Sequence, residues 1–271
     1  MTIAVCLKLV DTRPELDASG TIHDPDARFT GVSAADQAAL EWAFRCAEAW
    51  GDDVHVTTVG PEAADRILRD ALATGAATAT RVHLPMGAPS DIVAGALAPL
   101  LEHARLVWCG DHSLDRGTGS VPAYLAARLE CAQALGLVDV ALDANGPGLV
   151  ALRRLDGGRR ERLRVSSPAV LSVEGSTARL RRAPLAATLR AAAATISSIP
   201  GPPLAEHTHR PTRPFRPRPR ALPPPEGATS LDRIRALTDA GGDVVGGETV
   251  VLDPPAAAER ILDALHGWGY R

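Results

Sequence analysis

Residues 105–123 read Arg105-Leu-Val-Trp-Cys-Gly-Asp-His-Ser-Leu-Asp-Arg-Gly-Thr-Gly-Ser-Val-Pro-Ala123, and the parsing of this stretch decides the fold. Leu106 to Cys109 is a short apolar run that follows one helical pattern, and Ser120 opens another, so the stretch parses as strand, glycine-rich turn, helix. In an α/β sheet that is where a nucleotide binds. Gly110, Gly117 and Gly119 let backbone approach a ligand closely, and the Gly-Ser-Val-Pro entry aims free N–H groups and the positive end of a helix dipole into the turn. Thr118 and Ser120 add hydroxyls and Arg116 a charge. Asp115 can accept from a ribose hydroxyl or pin the loop's own amides. The plain alternative is a polar loop in which Ser120 merely caps the helix.

Upstream, the chain alternates. Thr2 to Leu9 is an apolar, β-prone run, followed by a long polar stretch from Asp11 to Thr30. Ser33 then caps a helix to about Trp50, with Asp36 three residues on, placed to return to the cap, and Gly51 as the stop. Val54 to Val59 reads as a strand, Gly60-Pro61 as a turn, and Glu62 to Thr74 as a helix closed by Gly75. Thr80 to Leu84 is a strand, and Pro89-Ser90 opens a helix to about His103. This β-α order predicts an α/β fold with a doubly wound, mostly parallel sheet. The loops Lys8 to Thr12 and Val59-Gly60-Pro61 leave the carboxyl ends of their strands, so they face the same crevice as the 105–123 turn.

The 271 residues, 45% of them hydrophobic, suffice for one large domain with an appendage. A net charge of −3 with scattered basic residues gives no nucleic-acid footprint. The amino terminus lacks the pattern of a signal peptide and no apolar run reaches spanning length, which leads us to expect a cytoplasmic protein. Cys6, Cys46, Cys109 and Cys131 show no paired spacing and sit in apolar patterns, as buried free thiols do. His23, His55, His83 and His103 are too scattered to suggest a metal cluster, while His112 lies within the glycine-rich loop.

The second half changes pattern. After a helix ending near Leu135, Leu149 to Leu155 and Arg160 to Val165 alternate around Asp156-Gly157-Gly158 as a β-hairpin, and Pro168 to Val173 begins another strand. The segment Ala151-Leu-Arg-Arg-Leu-Asp-Gly-Gly-Arg-Arg-Glu-Arg-Leu-Arg-Val-Ser-Ser-Pro-Ala-Val-Leu-Ser172 resembles the signature of electron transfer flavoprotein β subunits. That signature has a basic residue, acidic-Gly-Gly, Glu, an aliphatic, then Pro with aliphatics. The resemblance also covers Ala4 to Asp11, Ser33 to Glu48, Gly60-Pro61 through Ala76, and Asp115 to Ala126. It implies a Rossmann-like, adenine nucleotide α-hydrolase-like fold with a β-hairpin insertion and an extended C-terminal arm. The implied protein is no enzyme but an electron-transfer carrier subunit. It would pair with an α subunit that holds most of the FAD, accept electrons from dehydrogenases, and bind AMP, or a second FAD, in its own crevice.

On this resemblance the nucleotide contacts are Leu7, Ser33, Val59, Gly60, Asp115, Arg116, Gly117, Thr118, Gly119, Ser120 and Val121. The chain departs from the family where Asn-Pro-Phe-Cys is replaced by Ser33-Ala34-Ala35-Asp36, where Gly119-Ser120 occupies the nucleotide loop, and where Arg154 replaces an acidic residue. Arg181 to Arg190 is similar to the family's recognition loop and following helix, which casts Leu185 as the anchor for partner dehydrogenases, rimmed by Arg181 and Arg182. The alternative for Leu185 is a core position at a helix start. Gly31 to Trp42, Asp111 to Pro122 and the terminal Trp-Gly-Tyr are similar to mycofactocin-associated β subunits.

The expected organisation is a nucleotide-binding domain over 1–198, a proline-rich linker over 199–228 and a C-terminal arm over 229–271, with helices at Ser230 to Leu237 and Pro254 to Trp268. In the family this arm wraps the α subunit. A competing function for the same fold is a freestanding adenine-nucleotide-binding regulator or hydrolase, which would need no partner.

Overall fold

A computed structural model describes residues 1–15, 26–144, 146–204, 225, 227–238 and 250–268. The chain divides into two compact units, Met1–Pro214 and Phe215–Arg271. Much of the proline-rich stretch, together with residues 16–25, lies outside the described residues.

The first unit is built on a nine-stranded sheet. In chain order its described elements are β1 (Thr2–Leu7), β2 (Val10–Asp11), β3 (Thr30–Gly31), α1 (Ala34–Trp50), β4 (Asp53–Gly60), α2 (Asp65–Thr74), β5 (Thr78–His83), α3 (Ser90–Leu101) and β6 (Ala104–Gly110). There follow α4 (Val121–Arg128), β7 (Ala132–Leu142), β8 (Gly148–Arg154), β9 (Arg160–Ser166), β10 (Ala169–Val173), α5 (Leu185–Ala192) and β11 (Ser197–Pro200). The large sheet has the order β11-β5-β4-β1-β6-β10-β7-β8-β9, and β2 pairs with β3 in a small antiparallel ribbon beside it. Every neighbouring pair from β11 to β7 is parallel, and the antiparallel β8–β9 hairpin is added at the far edge. This is the doubly wound, mostly parallel α/β fold expected from the sequence.

Alternation along the central strands explains why both faces are covered. Ile3, Val5, Leu7, Leu106 and Trp108 enter one core with Ala39, Leu40 and Phe44 of α1 and Ile67 and Leu68 of α2. Ala4, Cys6, Val107 and Cys109 enter the other, against Ala94, Leu97 and Leu101 of α3 and Leu125 of α4. Strands buried on both sides must be apolar nearly throughout, as β1 and β6 are.

One local expectation is corrected. The helix after the glycine-rich loop stops at Arg128 rather than near Leu135, because Glu130 takes a left-handed φ of 49° and Ala132–Leu142 becomes β7. That strand pairs with β10 on one side and β8 on the other, so tertiary pairing overrides the helix propensity of its alanines and leucines. At the start of α1 the Ser33 Oγ accepts from the Asp36 N–H at 3.0 Å, as expected of the cap, and the Ser33 hydroxyl also acts on the Asp36 carboxylate, which in addition accepts from the Lys8 N–H at 3.1 Å. A further strand, β11, pairs with β5 at the sheet edge and takes residues up to Pro200 into the fold.

The second unit contributes α6 (Ser230–Thr238) and α7 (Pro254–Gly267), the latter capped by Asp253 through the Ala256 N–H. Both helices leave apolar side chains exposed, among them Leu231, Ile234, Ile261, Leu262 and Trp268. Among the described residues no helix is long and apolar enough to cross a membrane.

Candidate functional site

The chain's order in the sheet puts β1 between β4 and β6. Crossovers run outward on one side from β1 to β4 and β5, then resume on the other side at β6, so the loops leaving β1 and β6 part company and open a crevice at their carboxyl ends. It is lined by Leu7, Lys8 and Asp36 on one wall, Val59, Pro85 to Ala88 and Val93 on another, and His112, Ser113, Arg116 and Thr118 to Pro122 from the glycine-rich loop.

The loop's shape follows from its glycines. Gly117 and Gly119 have φ of 62° and 58°, the left-handed region where a side chain is strained. At Gly119 an added Cβ would also collide with the Asp111 carbonyl oxygen. This tight winding leaves the N–H groups of Thr118, Gly119, Ser120 and Val121 without a backbone acceptor among the described residues, while the Gly117 N–H is spent on the Ser113 carbonyl at 2.9 Å. Four adjacent amides at the start of α4, all on crevice-lining residues, form a concave donor surface suited to a phosphate. Ser120 takes the N-cap position but makes no side-chain cap; its hydroxyl donates to Thr118 Oγ1 at 3.2 Å.

Two contacts tie the loop down at opposite rims. Lys8 Nζ lies 2.7 Å from Asp115 Oδ1 and 3.4 Å from Ser113 Oγ. Partial burial pushes the Asp115 carboxyl upward, but the bonds from Lys8, Ser113 and the Arg116 N–H, together with the Lys8 charge, outweigh it and hold the group below its usual range. On the other rim Arg116 Nη1 donates to the carbonyls of Gly87 and Ala88 at 3.1 and 3.0 Å. Asp115 and Arg116 are therefore engaged in shaping the loop, leaving the backbone amides as its open donors.

The remaining sequence-predicted positions separate into two groups. Leu7, Val59, Arg116, Thr118, Gly119, Ser120 and Val121 meet in the crevice. Ser33, Gly60, Asp115 and Gly117 stand outside its lining: Ser33 caps α1, the Gly60 carbonyl accepts from the buried Arg81 guanidinium at 3.4 Å, and Asp115 pairs with Lys8 at the rim. The sequence reading missed the Pro85–Ala88 wall and the crevice role of Asp36. An acid at the third position of a helix whose strand neighbours end in Lys8 and Gly110 was the available signal for the latter.

At a separate surface, Leu185 opens α5 and is 74% exposed, with Leu189 one turn on at 67%. The core alternative for Leu185 does not apply. Arg181 is not free beside it: its guanidinium pairs with Glu48 and Glu41 and lies 5.0 Å from the Phe44 ring, an arrangement that raises its pKa. Arg181 thus fastens the segment before α5 to α1, while Arg182 is exposed. Arg154, on the hairpin, pairs with Glu174.

With this geometry in hand, the similarities to known proteins are specific. The electron transfer flavoprotein domain matches residues 27–204. The chain is 29% identical over 191 residues to the electron transfer flavoprotein subunit beta of Methylophilus methylotrophus, covering 68% of this chain and 72% of that one. It is 30% identical over 266 residues to the subunit of the same name from Chromohalobacter salexigens, covering 93% and 94%. Similarity to the protein FixA of Rhizobium meliloti reaches 29% over 205 residues, or 71% and 70% of the two chains.

Proposed function

Because the chain belongs to the electron transfer flavoprotein β-subunit family, we propose that it is the β half of a heterodimer whose FAD is held mainly by an α subunit, and that its own crevice binds the phosphate of AMP. As an electron transfer flavoprotein subunit it is a carrier component rather than a catalyst. The observation that carries the nucleotide reading is the run of four amides, Thr118 to Val121, that have no backbone acceptor among the described residues and lie on the crevice wall.

The residues fit such a guest. Phosphate oxygens would take the Thr118–Val121 N–H groups and the Thr118 and Ser120 hydroxyls, and Leu7 and Val59 supply apolar wall for a base. Lys8 and Arg116 hold the loop in place instead of moving with the ligand. FAD, when bound in the heterodimer, supplies the reversible acceptor of one or two electrons. In this proposal dehydrogenases dock at Leu185 and Leu189, the exposed apolar pair of α5. The partner for α6 and α7 is the α subunit, which would cover their exposed apolar residues. The same reading places the protein in the cytoplasm, and the wording of 31–42 and 111–122 favours a mycofactocin-linked electron donor.

The test is to purify the chain together with its α subunit and count flavin and adenine nucleotide released on denaturation. One FAD and one AMP per heterodimer is the expected result; two FAD would put a second flavin in the crevice in place of AMP. The double change Thr118→Val, Ser120→Ala is expected to weaken AMP retention about thirtyfold, each of the two neutral hydrogen bonds being worth on the order of 1 kcal/mol. Unaltered AMP content in that variant would remove the phosphate from this loop.

A further inference from the structure

The parallel ladder joining β1 to β6 ends at the pair Cys6 and Cys109. Beyond it, Lys8 and Gly110 carry the two backbones into the crevice, and their N–H groups converge on one carboxylate. Asp36 Oδ2 accepts from the Lys8 N–H at 3.1 Å, and the Gly110 N–H lies close enough to the same carboxylate to favour its charged form. Oδ1 sits so close to Gly110 that an added Cβ there would come within 2.5 Å of it. Asp36 is buried, lines the crevice, and is itself held at the first turn of α1 by the Ser33 hydroxyl. One side chain therefore spans the gap between the two strands on whose separation the crevice depends.

We propose that Asp36 is the positioning residue of the crevice: its carboxylate holds the ends of β1 and β6 at the separation a nucleotide needs, and the crevice slackens when that carboxylate takes up a proton. The inference rests on the nucleotide reading above. A carboxylate offers acceptors on both oxygens, whereas the neutral acid turns one of them into a donor that faces N–H groups. Burial pushes the Asp36 carboxyl up to about 7, against the opposing pull of the Lys8 and Gly110 N–H groups, the Lys8 charge and the Ser33 hydroxyl. The folded chain thus keeps a proton that the unfolded chain would release in the ordinary carboxyl range. Stability contributed by the protonated form is full at low pH and lost as pH rises through about 7, whereas the clamp is complete only above that point.

The other titratable and charged groups around it leave Asp36 in control. Lys8 Nζ is taken by Asp115, and the Cys109 thiol on β6, raised by its bond to Cys6 and by burial, stays neutral. His112 Nδ1 lies 2.8 Å from Asp111 Oδ1 without completing a hydrogen bond to it, and Glu174, after β10, turns to Arg154.

The experiment uses the full chain in complex with its α subunit, and titrates AMP calorimetrically between about pH 5.5 and about pH 8.5. Affinity should fall about tenfold as pH drops through 7, since a hydrogen bond to a charged group is worth that factor or more. Asp36→Asn should bind about tenfold more weakly at the upper end and show no such pH step. A variant with wild-type affinity and the wild-type profile overturns the proposal. Amide exchange of Lys8 and Gly110, corrected for intrinsic rates, needs no ligand and separates the two readings. If AMP binds at no pH, the nucleotide reading falls, yet faster exchange of these two amides below pH 7 in the wild-type chain still supports the clamp. Exchange that is insensitive to pH overturns it, and this arm holds even where Asp36→Asn fails to fold.

Discussion

Truncating Leu185 to alanine is expected to leave the melting temperature of the heterodimer almost unchanged while slowing flavin reduction by the partner dehydrogenase about thirtyfold. The expectation follows from exposure: at 74% accessible, Leu185 contributes little to this chain's own packing, so its removal leaves no cavity. Truncating an apolar anchor at the centre of an interface costs about 2 kcal/mol or more of binding, which sets the rate effect at limiting concentrations. Arg181 makes the two outcomes separable. Its bonds to Glu41 and Glu48 keep the start of α5 in place whether or not Leu185 is present. Stopped-flow reduction and a thermal scan on the same preparation settle the matter, and wild-type reduction rates would move dehydrogenase docking elsewhere.

The largest loss of stability is expected from Trp108→Ala. Trp108 is wholly buried in β6 and stacks on Trp42 of α1, ring centroids 6.3 Å apart and planes 16° from parallel. Neither indole N–H finds a side-chain or backbone acceptor among the described residues, so what the variant loses is packing. Removing such a side chain costs about 3 to 5 kcal/mol, or roughly 10 °C in a domain of this size. Trp108 immediately precedes Cys109 and Gly110, so AMP affinity should fall with it. Calorimetric melting of the heterodimer checks the first effect, and a shift of only about 1 °C would mean that the sheet collapses readily around the gap.

How much of this was legible in the sequence depends on which signals are local. The four leading βα units announce themselves through apolar runs and through stops such as Gly51, which takes a φ of 69° to end α1. The hairpin is equally plain, because Gly157 and Gly158 turn with φ of 69° and 74° between alternating strands. By contrast β7 is spelled in alanine and leucine, and the residue that breaks the preceding helix is Glu130, a type that carries no stop signal. The edge strand β11 escaped for the opposite reason: Ser197-Ser-Ile-Pro200 is exposed and short, with no alternation to read. At the crevice, the glycine-rich loop was legible because positive φ demands glycine. The Pro85–Ala88 wall and the Asp36 clamp were not, since both depend on which strand ends become neighbours, and that is settled by sheet order rather than by spacing along the chain.

Lys8 is the only lysine among 271 residues, and its position at the rim of the crevice gives it a use outside binding. An amine-directed reagent finds one side chain on this subunit besides the amino terminus, and that side chain is 2.7 Å from Asp115, so its acylation rate reports whether the rim is shut. The single peptide carrying Lys8 can be followed by mass spectrometry in a mixture containing the α subunit and a dehydrogenase. Its modification should slow when AMP is added and quicken in Asp115→Asn, turning a structural ion pair into a one-site chemical clock for the crevice.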